Sequence, residues 1–148
     1  MTRIPHDAWI AVADGAKALM LHNKGTPDEP RFGVLDVFRN PTGARTSEMG
    51  TDRPGRTNSS AGVRRSSMAQ TDWHDIEEHR FARTFAQVLD RHCLAGDFTQ
   101  LVVVAPARIL AELRKDWSKR VQQAVIEEID KDLTKHPVHE MERILSAD

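Results

Sequence analysis

The stretch "VQQAVIEEIDKDLT", Val121 to Thr134, decides the fold because its apolar residues satisfy two periods at once. Val121, Val125, Ile129 and Leu133 recur every fourth position, as on one face of a helix, while Val125, Glu127 and Ile129 alternate as in a strand. If the stretch is a strand, the chain reads βββ-α-β-α-β-α, an antiparallel meander followed by crossover units that add parallel strands. If it is a helix, the product is a four-stranded α+β domain. Pattern alone leaves both open.

Working outward, the neighbouring segments are clearer. "TQLVVVA" (Thr99–Ala105) is a continuous β-branched run, expected of a strand covered on both faces. Pro106 follows at a helix-starting position, and Ile109, Leu110 and Leu113 form that helix's apolar face. Downstream, "HPVHEMERIL" places Val138, Met141, Ile144 and Leu145 on one face of a terminal helix. Near the start, "AWIAVAD" and "AKALMLHN" flank an Asp-Gly turn signal and read as a hairpin. "RFGVLDVFR" (Arg31–Arg39) is a third strand, with Phe32, Val34, Asp36 and Phe38 alternating against Gly33, Leu35 and Val37. Asp72 reads as a helix N-cap, with Asp75 in the first turn where a carboxylate suits the helix dipole. Phe81, Phe85, Val88, Leu89 and His92 give the helix its buried stripe, and Gly96 is its expected stop.

At 148 residues and 39% hydrophobic, the chain has material for one core, so residues 1–148 are read as a single domain. A net charge of -1 supplies no global field toward nucleic acid or a membrane, and any such binding has to come from a local patch. The single cysteine, Cys93, has no internal disulfide partner and lies in an amphipathic pattern that suggests packing. With no secretory leader and no apolar run near the ~18 residues of a membrane span, a soluble, cytoplasmic protein is expected.

The local patch is residues 40–71. This segment holds ten Ser or Thr, four Gly, five Arg and two acids, and it is read as a long loop with nothing to bury. Arg45, Arg53, Arg56, Arg64 and Arg65 against Glu48 and Asp52 give it a formal charge of +3. With Ser59 and Ser60 as hydroxyl donors, it suits the phosphates of RNA. Trp73 is the one aromatic nearby for base stacking, and it equally suits covering the core.

Five stretches, "ADGAKALMLHN", "GRTNSSAG", "RFARTFAQVLD", "LVVVAPARILAELRK" and "EEIDKDLTKHP", together resemble the bacterial family of proteins required for attachment to host cells, across nearly the whole chain. That family is similar to the central domain of archaeal and eukaryotic class-1 peptide release factors and of Pelota. The resemblance implies an α/β domain with a ribonuclease-H-like mixed sheet, and so favours the strand reading of Val121–Thr134. It also implies that Gln70 falls where release factors carry the glutamine of a Gly-Gly-Gln motif, with Arg80-Phe81 on the following helix. Here the two preceding residues are Met68 and Ala69. Side chains there close off backbone angles that paired glycines allow, which argues against peptidyl-tRNA hydrolysis.

A ribonuclease-H-like sheet raises the question of a two-metal nuclease, which needs converging carboxylates. Asp14, Glu78 and Asp130 are the candidates, although an Asp-Gly turn explains Asp14 and ordinary helical surface explains Glu78. His74 and Glu78 are four apart and His136 and His139 three apart, but no HExxH or cysteine pair accompanies them. The alternating charges of "EEIDKDLTKHP" read as a solvated face or a partner surface. The expectation is a non-catalytic module without cofactor that contacts RNA, tRNA or the ribosome through its basic loop, with a homo-oligomer possible and no membrane partner. The competing readings are a metal-dependent nuclease and a protein–protein interaction module.

Overall fold

The computed structural model describes residues 3–39 and 56–147, with side chains for 3–39 and 75–146. Strands β1 (Trp9–Ala13) and β2 (Lys17–Asn23) form the expected hairpin, and β3 (Phe32–Arg39) follows. Helix α1 (Arg56–Leu94) leads to β4 (Leu101–Ala105), then α2 (Ala107–Asp116), α3 (Lys119–Ala124), β5 (Val125–Asp130) and α4 (Val138–Ala147). The five strands make one mixed sheet in the order β3-β2-β1-β4-β5. β1 to β3 run antiparallel, while β4 lies parallel to β1 and β5 parallel to β4.

The ambiguous stretch contains both structures. Ser118 caps α3 by accepting from the Val121 N–H at 3.2 Å, and Val121 and Ala124 are buried beneath the helix. From Val125 the chain extends, and Val125 pairs with Leu101 at the start of a parallel ladder that ends with Asp130 beside Ala105. The helical period was therefore real for one turn and a half, and the β-branched residues took over beyond it. The observed order carries one more short helix than βββ-α-β-α-β-α.

Both faces of the sheet are covered, as the β-branched run of β4 requires. On one face Ala11, Ala13, Met20, Leu101 and Val103 pack against Phe81, Phe85 and Leu89 of α1, Ile109 and Leu113 of α2, and Val121 of α3. On the other, Ile10, Val12, Leu21, Val102 and Val104 pack against Leu133 and against Met141 and Leu145 of α4. Each large apolar side chain fully withdrawn from water contributes about 1.5–3 kcal/mol. α1 ends as expected: Gly96 adopts φ 82°, and the Asp97 N–H returns to the His92 carbonyl at 3.0 Å.

Two expectations are corrected. α1 does not begin at Asp72; its backbone is helical from Arg56, so the second half of the expected 40–71 loop is helix. Low-propensity Ser, Thr and Gly there hid it, since elongating a nucleated helix needs far less local preference than starting one. Residues 40–55 lie outside the described residues. The second correction is in β3, where the ladder shifts between Met20 and Leu21, leaving Leu35 as an extra residue between Val34 and Asp36. Phe32 therefore packs on the α4 face and Phe38 on the α1 face, although their even spacing placed them together.

Candidate functional site

β1 and β4 end side by side, and the chain leaves them in opposite directions: β1 turns to β2, while β4 crosses through α2 and α3 to β5. The carboxyl ends of such diverging parallel strands form a crevice where open α/β sheets place ligands. Two of the expected carboxylates sit there. Asp14 Oδ1 accepts from the Ala16 and Lys17 N–H groups at 2.8 and 2.7 Å, and its Oδ2 accepts from the buried Thr134 hydroxyl at 2.7 Å. Its oxygens are thus engaged in closing the hairpin and tying it to the β5–α4 connection.

Glu78 comes down from α1 onto the same turn. Its carboxylate lies so close to Gly15 that a Cβ on that residue would overlap it. It is held by Arg108 of α2 through two contacts of 2.9 and 3.3 Å. Asp130 is exposed at the end of β5. Among the described residues no group of three or more His, Cys, Asp or Glu is arranged to hold a metal ion, so Asp14, Glu78 and Asp130 share an end of the sheet without converging.

Between α1 and α2 lies a cleft of about 250 Å³ lined by Asp75, Glu78, His79, Arg108, Ile109 and Glu112. His79 Nδ1 meets Glu112 Oε1 at 2.7 Å, and Lys115 approaches the other oxygen at 3.5 Å. Burial alone would raise the Glu112 carboxyl, but the hydrogen bond and charge of His79, together with Lys115, hold it below the ordinary glutamate range. Glu78 pairs with Arg108 and Glu112 with His79, while Asp75 adds a further acid, so the cleft offers no excess of positive charge to draw in a phosphate. Arg108, His79 and Glu112 were not singled out from sequence. Only the contact of α1 with α2, some thirty positions apart, brings them together, and no local spacing announces it.

The basic candidates are elsewhere. Arg56, Ser59, Ser60, Arg64 and Arg65 lie along the N-terminal part of α1, as does Gln70 with Met68 and Ala69 before it, and their side chains are outside the described residues. The side chains of Trp73 and His74 fall outside them too. Arg45 and Arg53 precede the helix and lie outside the described residues. Cys93 is half-buried against the core, and burial pushes its thiol up, which makes it a poor nucleophile. His136 binds Glu140 through Nδ1 at 2.6 Å, fixing the entry to α4. Among the described residues no helix is long and apolar enough to cross a membrane.

A search of curated protein sequences finds no match to this chain. A family model described as bacterial archaeo-eukaryotic release factor family 12 matches residues 7–145, which takes in the whole sheet, all three helices of one face and nearly all of α4. The chain therefore belongs to bacterial archaeo-eukaryotic release factor family 12.

Proposed function

We propose that this chain is a non-catalytic, translation-associated binding module that contacts RNA, in a tRNA or a ribosome, through the basic segment 40–71. The observation that carries this reading is the family match over residues 7–145, on a chain whose charge is -1 overall but +3 within that segment. We read the sheet order β3-β2-β1-β4-β5, with three antiparallel strands followed by two parallel ones, as ribonuclease-H-like. Against hydrolysis stand Met68 and Ala69 ahead of Gln70 in a run of helical backbone, where paired glycines would have no role. Against a nuclease stands the engagement of Asp14 and Glu78 with Thr134 and Arg108. The likeness to host-attachment proteins then reflects an indirect effect of a module acting inside the cell.

The test is a salt series of binding to ribosomes and to total tRNA, with the R56A/R64A/R65A triple variant alongside. Each lost phosphate contact lowers the slope of log affinity against log salt by about 0.7–0.9, so the variant's slope should fall by roughly two to three. Absence of binding by the wild-type chain at low salt overturns the RNA reading. A second reading, a protein-interaction module, is favoured by the exposed Val34, Leu35 and Val37 on edge strand β3 and predicts association indifferent to salt.

A further inference from the structure

At the end of the sheet opposite the α1–α2 cleft is a cavity of about 310 Å³, lined by Asp7, Trp9, His22, Asp97, Phe98 and Thr99 together with Gly96. Its aromatic wall is Trp9, whose ring centroid lies 5.1 Å from that of His92 and 5.2 Å from that of Phe98. Two carboxylates border it. Asp97 Oδ2 is 2.7 Å from His92 Nδ1, and Asp7 Oδ1 is 3.5 Å from His6 Nε2 and 3.8 Å from His22 Nε2. Among the described residues no lysine or arginine lines the space. It also lies beside the C-terminus of α1, the negative end of that helix's dipole.

Two further features mark a built site. Asp7 holds φ 72°, a left-handed conformation unusual for a residue with a side chain and often retained where function needs it. His22 Nδ1 is buried in the wall without a hydrogen-bond partner. An aromatic face, two carboxylates and a helix C-terminus all attract positive charge, and none suits an anion. Among the described residues no cluster is arranged for a metal ion, which leaves an organic cation.

We propose that this cavity binds an alkylammonium or guanidinium group, seated against the Trp9 ring between Asp7 and Asp97. The site is independent of the RNA reading, because it shares no residue with the basic segment. The experiment follows the Trp9 indole N–H resonance of the full chain by NMR during titration with N-acetyl-arginine amide, whose only charge is its guanidinium, with spermidine, and with N-acetyl-citrulline amide as the uncharged control. A saturable shift with N-acetyl-arginine amide or spermidine, and none with N-acetyl-citrulline amide, is the expected result. A response to N-acetyl-arginine amide alone assigns guanidinium, and one to spermidine alone assigns alkylammonium. Asn accepts a left-handed φ as readily as Asp, so D7N keeps the backbone, and D7N/D97N should weaken binding about tenfold or more. An equal response to N-acetyl-citrulline amide, unchanged affinity in the double variant, or no shift with either cation at about 10 mM, where even a millimolar site saturates, would overturn the proposal.

Discussion

Asn23 is fully buried at the end of β2, and its amide serves both sides of the chain that surrounds it. Nδ2 donates to the Ile4 carbonyl at 2.8 Å, while Oδ1 accepts from the Gly25 and Arg31 N–H groups at 2.9 and 3.0 Å. One side chain thus pins the N-terminal segment and closes the loop into β3. Asn23→Asp keeps the shape but turns a donor into an acceptor facing a carbonyl, so a loss of about 2–4 kcal/mol is expected in urea unfolding. Charge pairs at this scale set the acid behaviour. Glu140 is held below the ordinary glutamate range by its hydrogen bond from His136, and Glu112 is held low against the opposing effect of burial by His79 and Lys115. Both carboxyls therefore titrate lower in the folded chain than in the unfolded one. Their contribution is complete above the unfolded glutamate value of 4.5 and is lost as pH falls through the lowered folded values. His79→Gln should move the Glu112 carboxyl titration upward, read by carbon-13 NMR; a titration that stays in place would remove His79 as the cause.

At the scale of elements, both edge strands carry a bulge, and each bulge moves the strand's later residues to the other face of the sheet. In β3 the extra Leu35 separates Phe32 from Phe38, and in β5 the shift between Leu101 and Val102 puts Val125 on the α1 face and Ile129 on the α4 face. This is why strict alternation misassigns faces in these two strands while it holds in β2, with Met20 on one face and Leu19 and Leu21 on the other. A bulge leaves no mark in a list of apolar positions; it is fixed by the partner strand. Bulged edges also resist pairing with other chains. β3 is further guarded where the Phe32 N–H donates to Glu142 of α4 at 2.7 Å and the Val37 N–H donates to Asp36 at 2.9 Å. Deleting Leu35 restores alternation and forces one of the two phenylalanines out of its pocket, so stability should drop by at least about 2 kcal/mol. Leu35→Ser, which keeps the bulge at an exposed position, should change it by less than about 0.5 kcal/mol. Equal unfolding midpoints for the deletion and the substitution would show that the bulge sets nothing.

For the whole molecule, the hairpin, β4, α2, α4 and the C-terminal part of α1 were legible because each is specified locally, by a turn dipeptide, a β-branched run or a 3.6-residue stripe. The α1–α2 cleft and the Trp9 cavity were not, because both are made where distant segments meet. The extension of α1 back to Arg56 was hidden for a third reason: its composition carries no apolar stripe, and only the backbone shows it. The two faces of the sheet also depend unequally on the chain around them. Three helices cover one face, whereas the other relies on α4, the N-terminal residues Ile4 and Ala8, and Leu133. α4 supplies the fully buried Met141 and Leu145, with Val138 and Ile144 beside them, and Glu142 caps the β3 edge. Met141→Ala should cost about 2–5 kcal/mol and leave a single cooperative urea transition at a lower midpoint. Ending the chain at Pro137 removes all four apolar side chains and the edge cap together. That loss is comparable to the roughly 5–15 kcal/mol that keeps a domain folded, and it uncovers Ile10, Val12, Val102 and Val104. The truncated chain should show no cooperative transition and should self-associate on size exclusion. A monomeric truncation that unfolds cooperatively would mean that the three-helix face alone holds the sheet.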